Sequence, residues 1–270
     1  MPTILTNGIT THYDQEGEGP PVVLIHGSTF DRRMWAPQAA ALAAAGYRVI
    51  RYDLRGHGAS DAPATGYTYR DYSDDLRDLL NRLAIDRAHL VGFSLGGGVA
   101  LTFVADHPIR VASLTLISPA LPGFTYSDEF AAHIERLRAA VRSEGPAKAL
   151  ERHWLAHPIF DPIRRHADQL ALVREMVLAH SGAPYLDEAE YPPPRSHAIE
   201  HLSEITAPTL VISGALDLPD FRLVADLLAE NIADCRRLIA PDAGHVVNLE
   251  QPDLVNDTLL AFLLNLTGRR

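Results

Sequence analysis

Residues 91–98 read VGFSLGGG and place one serine, Ser94, among four glycines. They contain the pattern G-x-S-x-G, in which a strand turns into a helix so sharply that the serine is presented as a nucleophile. Such a turn strains the serine backbone and needs small neighbours two positions away, which Gly92 and Gly96 supply. An incidental glycine-rich turn is the competing interpretation. A phosphate-binding loop is a poorer one, because no G-x-G-x-x-G pattern or nearby lysine accompanies the serine.

The surroundings of this stretch indicate an alternation of strands and helices. Asn7-Gly8 is a hairpin signal, and a helical pattern follows Ser94 until Pro108. Short apolar runs that fit buried strands occupy residues 21–27, 47–53, 88–93, 111–120, 207–217 and 235–241. Helical patterns separate most of these runs, so the chain is predicted to be an α/β protein with a mostly parallel sheet flanked by helices.

The alternation stops after Pro122. Residues 122–200 contain no apolar strand run, but they show helical spacing at 130–143 and 166–180. We interpret this segment as a helical insertion in one core. The predicted division is residues 1–121 for the first part of the core, 122–200 for the insertion, and 201–270 for the second part.

Composition narrows the functional classes. The chain has 270 residues and a formal net charge of −10, which argues against nucleic acid and anionic membrane surfaces as partners. Cys235 is its single cysteine, so no intrachain disulfide can form. The first residues lack the basic start and apolar block of a signal peptide, and no apolar run approaches the ~20 residues of a membrane helix. We therefore expect a cytoplasmic protein.

A serine hydroxyl needs a base, and the base needs a carboxylate that fixes its tautomer. His245 is the best-placed of the 13 histidines, because it follows the last short strand in the loop PDAGH. Asp217 ends the strand run 207–217, while Asp220 and Asp242 are alternatives. The order Ser94, Asp217, His245 is that of a hydrolase triad with each member at a strand end.

The reaction also needs two backbone N–H donors for an oxyanion. Leu95 follows the nucleophile at a helix N-terminus, so its N–H is the first candidate. The second candidate is the N–H of Ser28 in the loop after the first apolar strand, with Thr29 as the alternative. His26 beside this loop is expected to be structural or to line a pocket.

Five stretches carry a resemblance to a known family: HGSTFDRRMW (26–35), YDLRGHGASD (52–61), VGFSLGG (91–97), APTLVISGALD (207–217) and PDAGHVVNLEQPD (241–253). Over nearly its whole length the chain resembles α/β-hydrolase-fold enzymes. It is most similar to the capped group of 3-oxoadipate enol-lactonases, small carboxylesterases and C–C bond hydrolases. The resemblance implies an eight-stranded, mostly parallel sheet, a helical cap, and a triad of Ser94, Asp217 and His245. Haloalkane dehalogenases and epoxide hydrolases of this fold have an aspartate in place of Ser94.

The predicted function is a serine hydrolase that cleaves a small carboxylic ester or lactone through an acyl-enzyme without a cofactor or metal. Cleavage of a C–C bond in a β-diketone-like substrate, perhydrolysis, and a slow or non-catalytic ligand receptor stay open as alternatives. The expected partner is a small molecule bound between core and cap, and a homodimer is left open. HAIEH (197–201) matches an inverted zinc-protease pattern, but too little helix is predicted there for a metal site.

Several other side chains are candidates for the pocket. One or two of the aromatic and sulfur-containing residues of the insertion are expected to line it: Phe124, Tyr126, Trp154, Phe160, Met176 and Tyr185. Five arginines could meet a substrate carboxylate: Arg32, Arg33, Arg136, Arg138 and Arg195. Gly97 and Gly98 are expected to let the helix after Ser94 pack close to the sheet.

Overall fold

The sheet is built from short apolar strands, most of which are buried on both faces. The computed structural model describes residues 2–192, 194 and 196–267. The strands are β1 (Thr3–Thr6), β2 (Ile9–Glu16), β3 (Pro21–Ile25), β4 (Arg48–Tyr52), β5 (Ala88–Phe93), β6 (Val111–Ile117), β7 (Thr209–Gly214) and β8 (Cys235–Ala240). They form one eight-stranded sheet in the order β1-β2-β4-β3-β5-β6-β7-β8. The predicted α/β class and eight-stranded sheet are thus confirmed.

Only β2 runs against the other seven strands. β1 pairs with β2, and β2 with β4, in antiparallel register, while β4, β3, β5, β6, β7 and β8 are parallel. The turn between β1 and β2 has positive φ at Asn7 and Gly8, as a two-residue hairpin requires. The carboxyl ends of the parallel strands meet at one edge, where open α/β sheets collect ligand-binding loops.

Helices cover both faces of the sheet because alternate strand residues face opposite sides. Val22 and Leu24 of β3 join the apolar cluster on one face, and Val23 and Ile25 join the cluster on the other. The helices of the core are α1 (Ala36–Ala44), α2 (Tyr69–Arg82), α3 (Leu95–Asp106), α8 (Pro219–Asn231), α9 (Val247–Glu250) and α10 (Pro252–Thr267). α1 and α10 cover the first face, while α2, α3 and α8 cover the second.

Helix α2 illustrates how local sequence sets an element. Thr68 accepts a hydrogen bond from the Asp71 N–H, and Asp71 accepts one from the Thr68 N–H, which makes a capping box. Leu76, Leu79 and Leu80 recur at helical spacing and are buried on one face of the helix. Tyr69 and Tyr72 belong to the N-terminal end of the same face, and their rings border the cavity beside Ser94.

The segment between β6 and β7, here called the β6–β7 insertion (residues 118–208), is helical. It contains α4 (Asp128–Glu144), α5 (Pro146–Ala149), a π-helical turn (Leu150–Trp154), α6 (Ala167–Ala179), α7 (Ala183–Leu186) and 3₁₀ turns at Pro158–Phe160, Pro162–Arg165 and Ala198–Glu204. Its described residues form no strand, and both predicted helical patterns occur as α4 and α6. Across residues 2–192, 194 and 196–267, no helix is long and apolar enough to cross a bilayer.

Candidate active site

Ser94 lies at the junction of β5 and α3 in a strained backbone conformation. Its φ of 49° and ψ of −116° are unusual for a residue with a side chain. A Cβ atom on Gly92 would lie 2.4 Å from the Gly96 carbonyl oxygen, and one on Gly96 would lie 2.2 Å from that of Ile25. Both glycines are therefore required by the close approach of strand and helix, and the predicted sharp turn is present.

The structure brings the three predicted triad residues together. The Ser94 Oγ lies 3.1 Å from His245 Nε2, and His245 Nδ1 lies 3.0 and 3.1 Å from the two carboxylate oxygens of Asp217. Asp217 and His245 are buried. Asp217 also accepts a 2.7 Å hydrogen bond from the Leu218 N–H. With an ionised Asp217, Nδ1 carries the proton and Nε2 is free to accept the Ser94 proton.

The alternative carboxylates lie elsewhere. Asp220, at the start of α8, accepts hydrogen bonds from the backbone N–H and hydroxyl of Ser127, at 3.2 and 2.6 Å. Asp242 is exposed and lies two residues after the end of β8. The carboxylate that contacts the imidazole is thus the one at the end of β7, as the strand-end argument predicted.

Aromatic rings and backbone contacts enclose the imidazole of His245. The ring centroid of Phe221 is 4.3 Å from that of His245, and the centroid of Phe93 is 5.1 Å away. A Cβ on Gly214 would lie 2.2 Å from the carbonyl oxygens of both Ala243 and Gly244. The loop that carries His245 therefore packs tightly on the end of β7, next to Asp217.

A buried carboxylate that the sequence analysis missed supports the same loop. Glu250, the last residue of α9, accepts hydrogen bonds from the N–H groups of Gly244 at 2.7 Å and Val246 at 3.0 Å. Burial raises its pKa, while the two N–H donors and nearby His245 lower it. Its signal in the sequence is one acidic residue in the otherwise uncharged run 246–252.

The two predicted oxyanion donors are the backbone N–H groups of Ser28 and Leu95. Within the described part of the chain, neither the Ser28 N–H nor the Leu95 N–H donates a hydrogen bond. Leu95 is the first residue of α3, where backbone N–H groups have no intrahelical acceptor. A Cβ on Gly27 would lie 3.2 Å from the Ser94 Cβ and closer still to the Phe93 ring, so the loop after β3 lies beside Ser94.

The β6–β7 insertion contacts this loop through two hydrogen bonds. Trp154 Nε1 donates to the Thr29 hydroxyl at 2.9 Å, and the hydroxyls of Tyr185 and Ser28 are 3.2 Å apart. Thr29 has a φ of 64°, and its hydroxyl donates to the Ser28 carbonyl oxygen at 2.6 Å. Side chains of the insertion thus hold the backbone that carries a candidate oxyanion donor.

His26 is structural. Its Nε2 accepts a 2.9 Å hydrogen bond from the Leu54 N–H, and its Nδ1 donates to the Gly27 carbonyl oxygen at 2.8 Å. Burial lowers the pKa of His26, which keeps the ring neutral in this role. His57 and His180 lie behind it, with ring centroids 4.5 Å apart, and burial lowers both of their pKa values as well.

A cavity of about 280 Å³ opens beside Ser94 and His245. Its walls are mainly aromatic and come from both core and insertion: Phe30, Tyr67, Tyr69, Tyr72, Tyr126, Phe130, Trp154, Phe160, Tyr185 and Phe221. A more open cavity of about 370 Å³ beside β8 is bordered by neither Ser94 nor His245. The cavity next to the predicted triad is therefore the candidate substrate site.

Four of the six insertion residues considered for the pocket line it, so the expectation of one or two was wrong. Tyr126, Trp154, Phe160 and Tyr185 border the cavity, whereas Met176 is packed in the core. The core itself supplies further aromatic residues that the sequence analysis missed.

Among the five arginines, Arg138 borders the cavity. Arg32 pairs with Asp14 and Asp53, and Arg33 pairs with Asp31 and Glu175. These two arginines bind protein carboxylates. Arg136 is not part of the cavity wall. Arg195 lies outside the described residues.

Two further expectations are refined. A Cβ on Gly98 would lie 2.4 Å from the Tyr69 ring, so this glycine makes room for α2 rather than for the sheet. A Cβ on Gly97 would lie 2.5 Å from Pro119 and 3.5 Å from Gly92 of β5.

The HAIEH stretch lies at the 3₁₀ turn Ala198–Glu204, and no group of three potential metal ligands is found among the described residues.

Comparisons with known proteins agree with this fold. A family model described as the alpha/beta hydrolase fold matches residues 20–252. A Variovorax paradoxus protein designated a candidate carbamate hydrolase is 33% identical, with 95% of this chain and 97% of the relative covered. The enol-lactonase of Burkholderia xenovorans LB400 superimposes with a TM-score of 0.85 at 31% identity, covering 97% of this chain and 100% of that one.

A thermophilic esterase from Thermogutta terrifontis is similar to the same extent. It superimposes with a TM-score of 0.82 at 30% identity, covering 98% of this chain and 97% of that one. The sheet, the family model and these neighbours together show that the chain belongs to the alpha/beta hydrolase family of enzymes.

Proposed function

We propose that this protein is a serine hydrolase that cleaves a small carboxylic ester or lactone through an acyl-enzyme, without a cofactor. The observation that carries the proposal is the unbroken hydrogen-bonded series Ser94–His245–Asp217 at the wall of an aromatic cavity. The esterase and enol-lactonase neighbours support the substrate class.

Acylation begins when Ser94 Oγ attacks the substrate carbonyl carbon and His245 Nε2 takes the hydroxyl proton. The carbonyl π electrons move to the oxygen, which becomes an oxyanion that accepts hydrogen bonds from the Ser28 and Leu95 N–H groups. Collapse of this intermediate breaks the bond to the leaving oxygen, which receives the proton from His245. The acyl group is then esterified to Ser94; from a lactone, the alcohol formed stays on the acyl chain.

Deacylation repeats the same steps with water as the nucleophile. His245 Nε2 removes a proton from water, whose oxygen attacks the acyl carbonyl, and the proton then returns to Ser94 Oγ as the acid leaves. Asp217 keeps Nδ1 protonated and stabilises the imidazolium at each stage. The rings of Phe93 and Phe221 lie against the imidazole of His245 and exclude water there, which strengthens the ion pair between the imidazolium and Asp217.

We propose that residues 122–200 act as a cap over this site. The cap side chains Tyr126, Trp154 and Tyr185 form part of the cavity wall. A substrate of small size would be enclosed between core and cap, with its carbonyl at Ser94 and its apolar parts against the aromatic rings.

The test is a hydrolysis panel of acyl esters, lactones and β-diketones with purified protein, its Ser94→Ala variant and a fluorophosphonate label. Turnover of esters or lactones that is lost in Ser94→Ala, together with labelling of Ser94, is the expected result. Turnover confined to β-diketones would favour C–C bond cleavage instead. Binding of a panel compound with neither turnover nor labelling would favour a receptor.

A further inference from the structure

Glu250 places a buried carboxylate directly against the backbone that carries His245. Its side chain folds back so that Oε2 accepts the Gly244 N–H at 2.7 Å and Oε1 accepts the Val246 N–H at 3.0 Å. Glu250 is 4% exposed, and every residue from Ala243 to Glu250 is buried. One carboxylate therefore binds the peptide groups on both sides of the histidine.

The arrangement needs two acceptors in one side chain. Both N–H groups are buried in a loop with no sheet or helix partner, so each would cost free energy if left unpaired. An ionised carboxylate offers an oxygen to each donor, and these bonds also offset the cost of burying its charge. A neutral amide of the same size has one oxygen and one NH₂ group, which would oppose the second N–H.

The position of His245 is demanding because the ring must meet two partners at once. Nδ1 must remain within hydrogen-bond distance of Asp217 while Nε2 stays 3.1 Å from Ser94 Oγ. Neither bond fixes the backbone of the loop, and a misplacement of about 1 Å can cost on the order of 10²-fold in rate. A second fixed point on the backbone removes this freedom.

We infer that Glu250 is a positioning residue, which holds the backbone on both sides of His245 so that the ring bridges Asp217 and Ser94. The inference rests on the proposed function, in which His245 is the general base. Glu250 does not line the cavity and its hydrogen bonds go to the backbone on either side of His245, so it acts through His245.

The first test compares Glu250→Gln with a matched control, Asp242→Asn. The control also converts a carboxylate into an amide, three residues before His245, but at an exposed position outside the site. For Glu250→Gln we expect kcat per fluorophosphonate-titrated Ser94 to fall by about 10- to 100-fold, with KM changed less than about twofold. For Asp242→Asn we expect both constants to stay within about twofold of the wild type.

Glu250→Asp provides the conservative comparison, because it keeps two acceptor oxygens on a shorter side chain. Its kcat per titrated site should lie between those of the wild type and Glu250→Gln. A merely structural role would lower the unfolding temperature of both variants and leave kcat per titrated site at the wild-type value, which would overturn the inference. If Glu250→Gln does not fold, a wild-type kcat per titrated site in folded Glu250→Asp would also overturn the inference.

The NMR signal of the His245 Nδ1 proton separates this inference from the proposed function, because it reports the bond to Asp217 without any turnover. It should shift or exchange faster in Glu250→Gln and stay unchanged in Asp242→Asn. An unchanged signal in Glu250→Gln would contradict positioning even if hydrolysis is confirmed. A changed signal in a protein that hydrolyses no ester would leave positioning intact and contradict the proposed chemistry.

Discussion

The indole N–H of Trp154 donates a hydrogen bond to the hydroxyl of Thr29, at 2.9 Å, and so joins the β6–β7 insertion to the loop that follows β3. Thr29 has a positive φ and in turn donates to the carbonyl oxygen of Ser28. The insertion is thus linked, through the Thr29 hydroxyl, to the carbonyl group of Ser28, whose N–H is a proposed oxyanion donor. A change in the position of the insertion should therefore change how well the Ser28 N–H can bind the oxyanion.

Trp154→Phe should lower kcat because it keeps an aromatic ring and removes this hydrogen bond. A neutral hydrogen bond contributes about 1 kcal/mol. If its removal raises the activation free energy by that full amount, kcat falls about fivefold. Steady-state kinetics with an activated ester measure it. Trp35→Phe is the control, since the buried Trp35 N–H has no partner among the described residues. Equal effects of both changes on kcat would argue against this link between the insertion and the oxyanion site.

Asp217→Asn should abolish most of the activity while the fold persists. The asparagine can present an N–H to Nδ1 and so favours the wrong imidazole tautomer, which in a serine protease triad lowers kcat by about 10⁴-fold. Asp220→Asn is the matched control, because Asp220 binds Ser127 and not the imidazole. We expect kcat within about twofold of the wild type for this control. A large loss in Asp220→Asn with an active Asp217→Asn would reverse the assignment.

Arg138→Met should change selectivity and leave the reaction itself intact. Arg138 borders the cavity, is 45% exposed, and pairs with Glu135 at 3.1 Å. A half-exposed pair contributes about 1 kcal/mol at most, so kcat/KM should fall about fivefold for an ester that carries a second, free carboxylate. A neutral ester of equal length should be unaffected. Arg136→Met, on the same helix but outside the cavity wall, should change neither; a uniform loss on both substrates would contradict a role for Arg138 in recognition.

The stability of the protein should decrease in mild acid. Burial lowers the pKa of His26, His57 and His180, so the folded state binds fewer protons than the unfolded state below pH ~6.5. Each such histidine lowers the free energy of unfolding by about 1.4 kcal/mol per pH unit in that range. Burial also lowers the pKa values of His133 and His157, which adds to this loss of stability. Asp75, whose pKa burial raises to about 6, and Glu250 act in the opposite sense but are fewer, so the net effect of acid is destabilising.

Urea unfolding at pH 7.5, 6.5 and 5.5 measures this dependence. We expect the free energy of unfolding to be largest at pH 7.5 and smallest at pH 5.5. His180→Gln should flatten the dependence, whereas His201→Gln, which changes a partly exposed ring, should not. Equal stability across the three pH values would show that the histidines do not control it.

The sequence predicted the parts of the site that depend on local pattern. Ser94 is identified by the glycines around it, and Asp217 and His245 by their places after short apolar strands. Parallel strands end at one edge of the sheet, so side chains far apart in sequence must converge there. The alternation of strands and helices predicted the sheet for the same reason, since each buried strand is a short apolar run.

The parts that the sequence did not predict depend on how separate elements pack. Tyr69 and Tyr72 belong to the first turn of α2 and continue its leucine face, but that pattern does not show that this end of the face borders a cavity. The bond from Trp154 to Thr29 joins residues 125 positions apart, and no local pattern indicates it. Glu250 lies in an otherwise uncharged run, yet only the folded loop shows which N–H groups it binds.

A rapid-mixing measurement with p-nitrophenyl acetate tests the formation of an acyl-enzyme on Ser94 directly. We expect a burst of p-nitrophenol equal to one per active site, followed by slower turnover, and an acetyl group found on Ser94 by mass spectrometry of quenched enzyme. Ser94→Ala should show neither. Turnover in Ser94→Ala at the wild-type rate, or a wild-type burst with the acetyl group on another residue, would contradict the proposed acyl-enzyme mechanism.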